Sequence, residues 1–313
     1  MPPVTSSGAA NGNIVPRIVC YQQTYFPDNG SQYVSMLPLL TNNSGVTHVI
    51  LAAIHINGEP GNLTLNDDPP DHSRFAPLWA EVRVLQTSGV KVMGLLGGAA
   101  RGSYERLDGT ESDFEAYYIP LRDLIRRHSL DGLDLDVEEE MSLQGAIRLI
   151  DRLKLDFGED FIVTLAPVAT ALVPGLKHLS GFDYMALELE RGSKISWYNT
   201  QFYNGWGLMD SPAAYDLITA QGWLPEKVVV GQLTNPSNGS QGYIPLETTS
   251  AVLGMLVLKY PNFGGVSGWE YFNSLPGNAQ RPWSWACSMS LILGMKRVHE
   301  CAASMASSQC TTS

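Results

Sequence analysis

Eight stretches of this chain read as β-strands, and their even spacing constrains the fold more than any other feature. They are Arg17–Tyr25, Val46–Ile56, Val90–Gly97, Leu130–Val137, Phe161–Val168, Ile195–Tyr203, Lys227–Leu233 and Gly264–Tyr271. Successive starts lie 29 to 44 residues apart, which leaves room for a loop and one helix in each gap. Two gaps repeat apolar residues at helical spacing. One holds Phe114, Tyr117, Tyr118, Leu121, Leu124 and Ile125; the other holds Ala146, Leu149, Ile150 and Leu153 behind Ser142 as an N-cap. Strands alternating with helices predict an α/β protein, a single (β/α)8 TIM barrel over residues 17–300. An open doubly wound sheet usually carries a Gly-rich phosphate turn after its first strand. Here YQQTYFPDNG follows, with no GxGxxG. Residues 1–16 read as a flexible arm of small residues, and 301–313 as a flexible Ser/Thr tail.

Composition narrows the partners. Of 313 residues, 20 are Lys or Arg and 31 are Asp or Glu, a net charge of −11. Nothing in that balance repays phosphate repulsion, so nucleic acid and acidic membrane surfaces are excluded. Charged residues make up only 16%, against about 25% in typical domains, so Ser, Thr, Asn, Gln and Gly must supply the polar surface. That favours a secreted protein over a cytoplasmic one. The N-terminal MPPVTSSGAANGN has no signal-like basic and apolar regions, which keeps the cytoplasmic alternative open. Asn-x-Ser/Thr matches stand at Asn29, Asn42, Asn62 and Asn238. The cysteines are Cys20, Cys287, Cys301 and Cys310, with no CxxC and no Cys/His cluster, so no zinc site is expected. Cys20 reads as a core residue. Cys301 and Cys310 either bridge or remain free thiols. No cofactor is expected, and a monomer is.

In a barrel of this kind the chemistry sits at the C-terminal ends of strands. The fourth run ends Asp131-Gly132-Leu133-Asp134-Leu135-Asp136-Val137-Glu138. Alternate residues of a strand share a face, so Asp134, Asp136 and Glu138 point inward while Leu133, Leu135 and Val137 face the helices. Burying three carboxylates in a row is costly unless they hydrogen-bond, share protons or serve chemistry. No histidine lies nearby and the run lacks the glycine of a calcium loop, so a metal site is not expected. Like charges at this spacing raise one another's pKa. Glu138 is then expected to stay protonated and act as general acid. Asp136 and Asp134 are expected to share a proton as a coupled pair.

The pattern Asp131-x-x-Asp134-x-Asp136-x-Glu138 resembles the signature of glycoside hydrolase family 18, which includes chitinases and endo-β-N-acetylglucosaminidases. The resemblance covers roughly residues 17–295 and is closest to fungal endo-β-N-acetylglucosaminidases that cut N-glycans. VSMLPLL (34–40), KVMGLLGGAA (91–100), LDLDVEEEMSLQGAIRLI (133–150), TLAPVA (164–169), WYNTQFYNG (197–205) and GWEYFNSLPG (268–277) carry it. The family departs from the two-carboxylate glycosidase scheme. The resemblance implies a retaining, substrate-assisted reaction through an oxazolinium intermediate. Glu138 is then acid and base, Asp136 orients the acetamide, Asp134 supports Asp136, and Asp131 is structural. Chitinase action is the alternative. An inactive, sugar-binding barrel is a third reading, which the presence of Glu138 opposes.

The other strand ends supply candidate substrate contacts. Gln201 and Tyr203 share a face at the end of the sixth run; the resemblance implies that Tyr203 bonds the acetamide carbonyl and Gln201 lies in the floor. Trp269 ends the eighth run, where an indole face suits the apolar face of a pyranose. Gly97 and Gly98 let backbone approach a ligand, or make a tight turn. Gln23 and His55 are further candidates for glycan contact. Glu270 either bonds sugar hydroxyls or is a salt-bridged surface acid. Glu139 and Glu140 are expected in a solvated loop, Asn204 as an ordinary loop residue, and Trp206 and Trp223 in ordinary packing. Only 30 residues separate Leu233 from Gly264, too few for the α+β insertion that walls many chitinase clefts, so the site is expected to be open at the top.

Overall fold

A computed structural model describes residues 15–27, 30 and 32–295. Residues 1–14 of the expected 1–16 arm, the tail over 301–313, Asn29, Cys301 and Cys310 lie outside the described residues. The strands are β1 (Arg17–Gln22), β2 (His48–Ile56), β3 (Leu63–Leu65), β4 (Lys91–Gly97), β5 (Gly132–Asp136), β6 (Ile162–Leu165), β7 (Trp197–Gln201), β8 (Val228–Leu233) and β9 (Gly265–Trp269). The helices are α1 (Pro38–Thr41), α2 (Ala76–Thr87), α3 (Ser103–Leu107), α4 (Glu111–His128), α5 (Leu143–Phe157), α6 (Tyr184–Arg191), α7 (Ala213–Ala220), α8 (Leu246–Lys259) and α9 (Ser284–Ile292). All strands but β3 are parallel, and they close on themselves: β1 pairs with β2 on one side and β9 on the other. Each corresponds to one of the eight runs, so the (β/α)8 barrel is the fold. β3 is the addition: it turns back antiparallel on β2 and sets Thr64 opposite His55.

The closed sheet is buried on both faces, which is why its strands read as apolar runs. Val19, Tyr21, Ile50, Met93, Leu95, Trp197 and Val229 fill the interior. Leu133, Leu135, Val163, Val228 and Val230 belong to the outer layer against the helices. Both helices read from the sequence have the caps their positions call for. Ser142 Oγ accepts from the Gly145 amide at 2.9 Å and opens α5. Thr110 and Asp113 cap each other reciprocally ahead of α4, which buries Phe114, Tyr118, Leu121, Leu124 and Ile125. Residues 234–263 hold only a 3-10 turn at Pro236–Asn238 and α8, so no insertion domain rises between β8 and β9.

The N-terminal end of the barrel is plugged. The Arg17 guanidinium lies 4.4 Å over the Trp197 ring and donates to the Glu226 and Gly264 carbonyls at 2.8 and 3.2 Å. Burial pushes Arg17 down to about 10. The same burial, with the charges of Arg17 and Lys91, pushes His48 down to about 3, so its ring is neutral. The opposite end of the barrel is open and holds the acidic strand.

Candidate active site

β5 is hydrogen-bonded between β4 and β6, with Asp136 opposite Gly97 and Asp134 opposite Thr164. Asp134 is fully buried. Its Oδ2 accepts from the Tyr21 hydroxyl at 2.7 Å; its Oδ1 accepts from the Thr164 hydroxyl at 2.6 Å and the Asn199 amide at 3.1 Å. Burial raises its pKa, and these three donors oppose the rise. Asp136, one step nearer the mouth, takes a 3.0 Å bond from Gln201 Nε2. That nitrogen also lies 3.2 Å from Glu138 Oε1 and 2.9 Å from the Ala166 carbonyl.

Burial, then the charges of Glu138 and Asp134, hold Asp136 well above the usual carboxylate range. Burial also raises Glu138, against the Gln201 bond and the charge of Arg101. The pair joined through Gln201 therefore retains a proton to higher pH than a free carboxylate would. The expected coupling of Asp136 to Asp134 stands beside this one, because the charge of Asp134 also raises Asp136. Asp134 is ringed by donors from β1, β6 and β7, which favour its charged form against a burial that disfavours it.

Aromatic side chains wall the opening. Tyr203 is 8% exposed, and among the described residues its hydroxyl has no hydrogen-bond partner. Burial and the charges of Asp136, Glu138 and Asp134 hold it far above its ordinary pKa, so it remains a donor facing the carboxylates. The Trp269 ring is half-buried at the end of β9, with its centroid 5.5 Å from that of Tyr21. Tyr21, Asp136, Asn199, Gln201, Tyr203 and Trp269 line one cavity over the barrel axis.

Gly97 and Gly98 have φ of +92° and +88°. A Cβ on Gly97 would stand 2.4 Å from the Tyr104 ring and 2.6 Å from the Asp136 carbonyl, so packing demands the first glycine. The Gly98 amide donates to that carbonyl at 2.9 Å. The glycine pair thus seals β4 against the acidic strand.

A second and larger cavity, of about 670 Å³, spreads over the ends of β1, β2 and β3. Gln23 and His55 line it, together with Asn57, Thr64, Asn66 and Arg101. The Nδ1 of His55 is buried without a partner.

Other acids take parts that the sequence did not indicate. Both oxygens of Glu270 are occupied: Oε2 accepts from the Gln23 and Thr24 amides at 2.8 Å each, and Oε1 accepts from the Thr24 hydroxyl at 2.7 Å. Glu270 is 4% exposed. It ties the end of β1 to the end of β9 and is not a salt-bridged surface acid. Glu139 is not solvated either. It is buried, and accepts from the Gly102 amide at 2.7 Å and the Tyr104 amide at 2.9 Å. Glu139→Ala would strand these two amides and is expected to lower stability by about 1–3 kcal/mol, read from the denaturant midpoint.

Glu140 is exposed, as expected. Asp131 sits at the start of β5 and accepts from the Val92 amide, Gln86 and Lys91. Trp223 donates to the Leu172 carbonyl in the core, Trp206 is half-buried, and Asn204 accepts from Ser240 in a loop. The sequence reading missed Tyr21, Thr164, Asn199 and Arg101. For Asn199 the signal was available: it precedes Gln201 by two and so shares its face.

A parallel barrel with buried carboxylates at its C-terminal mouth and aromatic walls around them defines a carbohydrate-cleaving enzyme. The chain belongs to glycoside hydrolase family 18: the model for that family, described as glycosyl hydrolases family 18, matches residues 17–231. Solved structures agree. One is the chitinase ChiC from Aspergillus fumigatus, 66% identical, covering 88% of this chain and 98% of that one, with a TM-score of 0.82. Another is a fungal endo-β-N-acetylglucosaminidase of the same family, 48% identical, covering 90% and 99%, with a TM-score of 0.85. Chitinase 2 of Rhizopus oligosporus is 25% identical over 272 residues, which is 77% of this chain and 46% of that protein. The chain spans about half the length of the curated relatives it matches.

Proposed function

We propose that this glycoside hydrolase is an endo-β-N-acetylglucosaminidase that cuts the β-1,4 bond in the GlcNAc–GlcNAc core of N-glycans. The observation that carries this reading is the open top. Between β8 and β9 stand only a turn and α8, and a cavity of about 670 Å³ extends the site across β1 and β2. A branched glycan still attached to a protein needs such access. The 48% identical relative bears the same activity in its name. Chitinase action is the second reading, because the 66% identical relative is named a chitinase. Release of glycan from ribonuclease B, measured beside cleavage of soluble chitin oligomers, separates the two. Cleavage of the oligomers with no release from the glycoprotein would overturn the first.

The residues divide the work as follows. Glu138 gives its proton to the glycosidic oxygen. The bond from C1 to that oxygen breaks, and the reducing-end GlcNAc leaves. The acetamide oxygen of the substrate attacks C1 from the opposite face and closes an oxazolinium ring. Asp136 accepts from the acetamide N–H and balances the charge that develops there. Tyr203 donates to the acetamide oxygen. Water then adds to C1, Glu138 takes back a proton, and the ring opens with retained configuration. Asp134, held by Tyr21, Thr164 and Asn199, supports Asp136 from below, and Trp269 carries the sugar ring. Secretion and a monomeric state complete the proposal. No described helix is long and apolar enough to cross a membrane.

The pH dependence follows from Glu138. It must begin protonated, and burial raises its pKa from the ordinary carboxylate value. The proton is therefore present through the acid range and is lost as pH rises through that raised value. kcat/KM is expected to be highest on the acid side and to fall toward alkaline pH. A rate that climbs steadily into the alkaline range would contradict the assignment.

A further inference from the structure

The cavity of about 670 Å³ over the ends of β1, β2 and β3 carries more positive charge than its acids cancel. Arg74, Arg101 and Arg106 line it, against Asp67 and Asp68. Arg74 is paired with Asp68, and its guanidinium lies 4.4 Å over the Phe26 ring. Arg106 is half-buried and donates to the Ile56 carbonyl at 3.2 Å and to the Gly102 carbonyl. These bonds fix its position and leave its charge with no carboxylate in ion-pair reach among the described residues. Arg101 is exposed in the loop after Gly97–Gly98, and among the described residues it has neither an ion pair nor a hydrogen bond. Asp67 is exposed, and its charge acts on His55. Two neutral groups on the same wall are also uncommitted: the Tyr25 hydroxyl and the His55 Nδ1 are buried with no hydrogen-bond partner among the described residues.

A protein of net charge −11 repels acidic ligands at long range, so uncompensated cations gathered on one cavity are a local exception that a neutral sugar does not require. A guanidinium presents a planar fork of N–H donors that matches a carboxylate or a phosphate. We propose that this cavity is a binding site for an acidic sugar on an arm of the glycan, one bearing a carboxylate or a phosphate, and that Arg101 takes the anionic group. The inference rests on the endoglycosidase reading, because such a sugar arrives as a branch of the glycan being cut. The cavity opens at the same end of the barrel as the acidic strand: Gln23 on its wall follows β1, and Ala100 and Arg101 follow the glycine pair that closes β4. Arg106 adds its charge from a fixed place beside Arg101, while the Arg74–Asp68 pair is neutral as a unit. An exposed arginine acts partly through water, so its effect is screened by salt.

The test measures kcat/KM on two matched pairs of N-glycopeptides: a biantennary glycan with and without terminal sialic acid, and a high-mannose glycan with and without a mannose 6-phosphate. In at least one pair the acidic member is expected to be favoured about fivefold to tenfold at low salt, mainly through KM. Which pair shows the preference tells a carboxylate from a phosphate. Arg101→Gln is expected to bring the ratio of acidic to neutral substrate to about one, Arg101→Lys to keep part of it, and high salt to reduce it in the wild type. Equal rates within both pairs overturn the proposal, and so does a preference that survives Arg101→Gln. Cleavage of the neutral members by the wild type tests the underlying reading separately. If neither neutral nor acidic glycopeptides are cut, the endoglycosidase reading falls and this inference with it; if they are cut without preference, only the acidic-sugar site falls.

Discussion

Glu138→Gln is expected to lower glycan release by about 10³-fold or more, with the fold retained. In the proposed reaction the side chain serves twice, first as acid and then as base, and general acid–base catalysis alone is worth about 10²–10⁴-fold. Glutamine keeps the volume, and its amide oxygen can still accept from Gln201, 3.2 Å away in the native site. It cannot give up a proton. It brings no charge near the buried Asp136, so no loss of stability is expected from it. Hydrolysis followed by glycan release, beside a denaturant midpoint, checks both halves. Persistent activity would move the acid elsewhere; a collapse of the midpoint would make the loss of activity uninformative.

Asp136→Asn is expected to slow hydrolysis by roughly 10²–10³-fold while sparing transfer from a preformed sugar oxazoline. The acetamide attacks efficiently only when held against C1, and orientation of reacting groups is worth several powers of ten. In the proposed reaction Asp136 supplies that hold with Oδ2, since Gln201 bonds Oδ1 at 3.0 Å. An oxazoline donor has already closed its ring and bypasses the step. The measurement is product formation from the oxazoline and an acceptor sugar, set against hydrolysis of the intact glycan. A variant that loses both reactions equally would argue against assistance by the substrate.

The barrel was legible because its eight strands are buried on both faces and recur at intervals that fit one helix each. The short β3 was not, since three residues leave no period to read. The inward face of the acidic strand was legible for the same reason as the barrel: a side-chain period of two, with Leu133, Leu135 and Val137 marking the outer face. The particular partners of each acid were not. Tyr21, Thr164 and Asn199 meet Asp134 across 113, 30 and 65 residues of chain. Glu139 and Glu270 illustrate the same limit. In sequence both look like acids beside a strand end at the mouth; in space their oxygens accept from backbone amides of neighbouring loops and, for Glu270, also from the Thr24 hydroxyl.

What this sequence determined by itself is which residue types stand on one face of one strand, and in what order they approach the mouth. Alternation is local, and the spacing of Asp134, Asp136 and Glu138 needs no distant contact to make them neighbours. Tertiary structure alone decided which partners each acid meets. That depends on where Gln201 reaches, on the donors that ring Asp134, and on the Gly102 and Tyr104 amides that bind Glu139. Electrostatic energies fall off over a few ångströms and vary with burial, and both are properties of the closed barrel rather than of any segment of the chain.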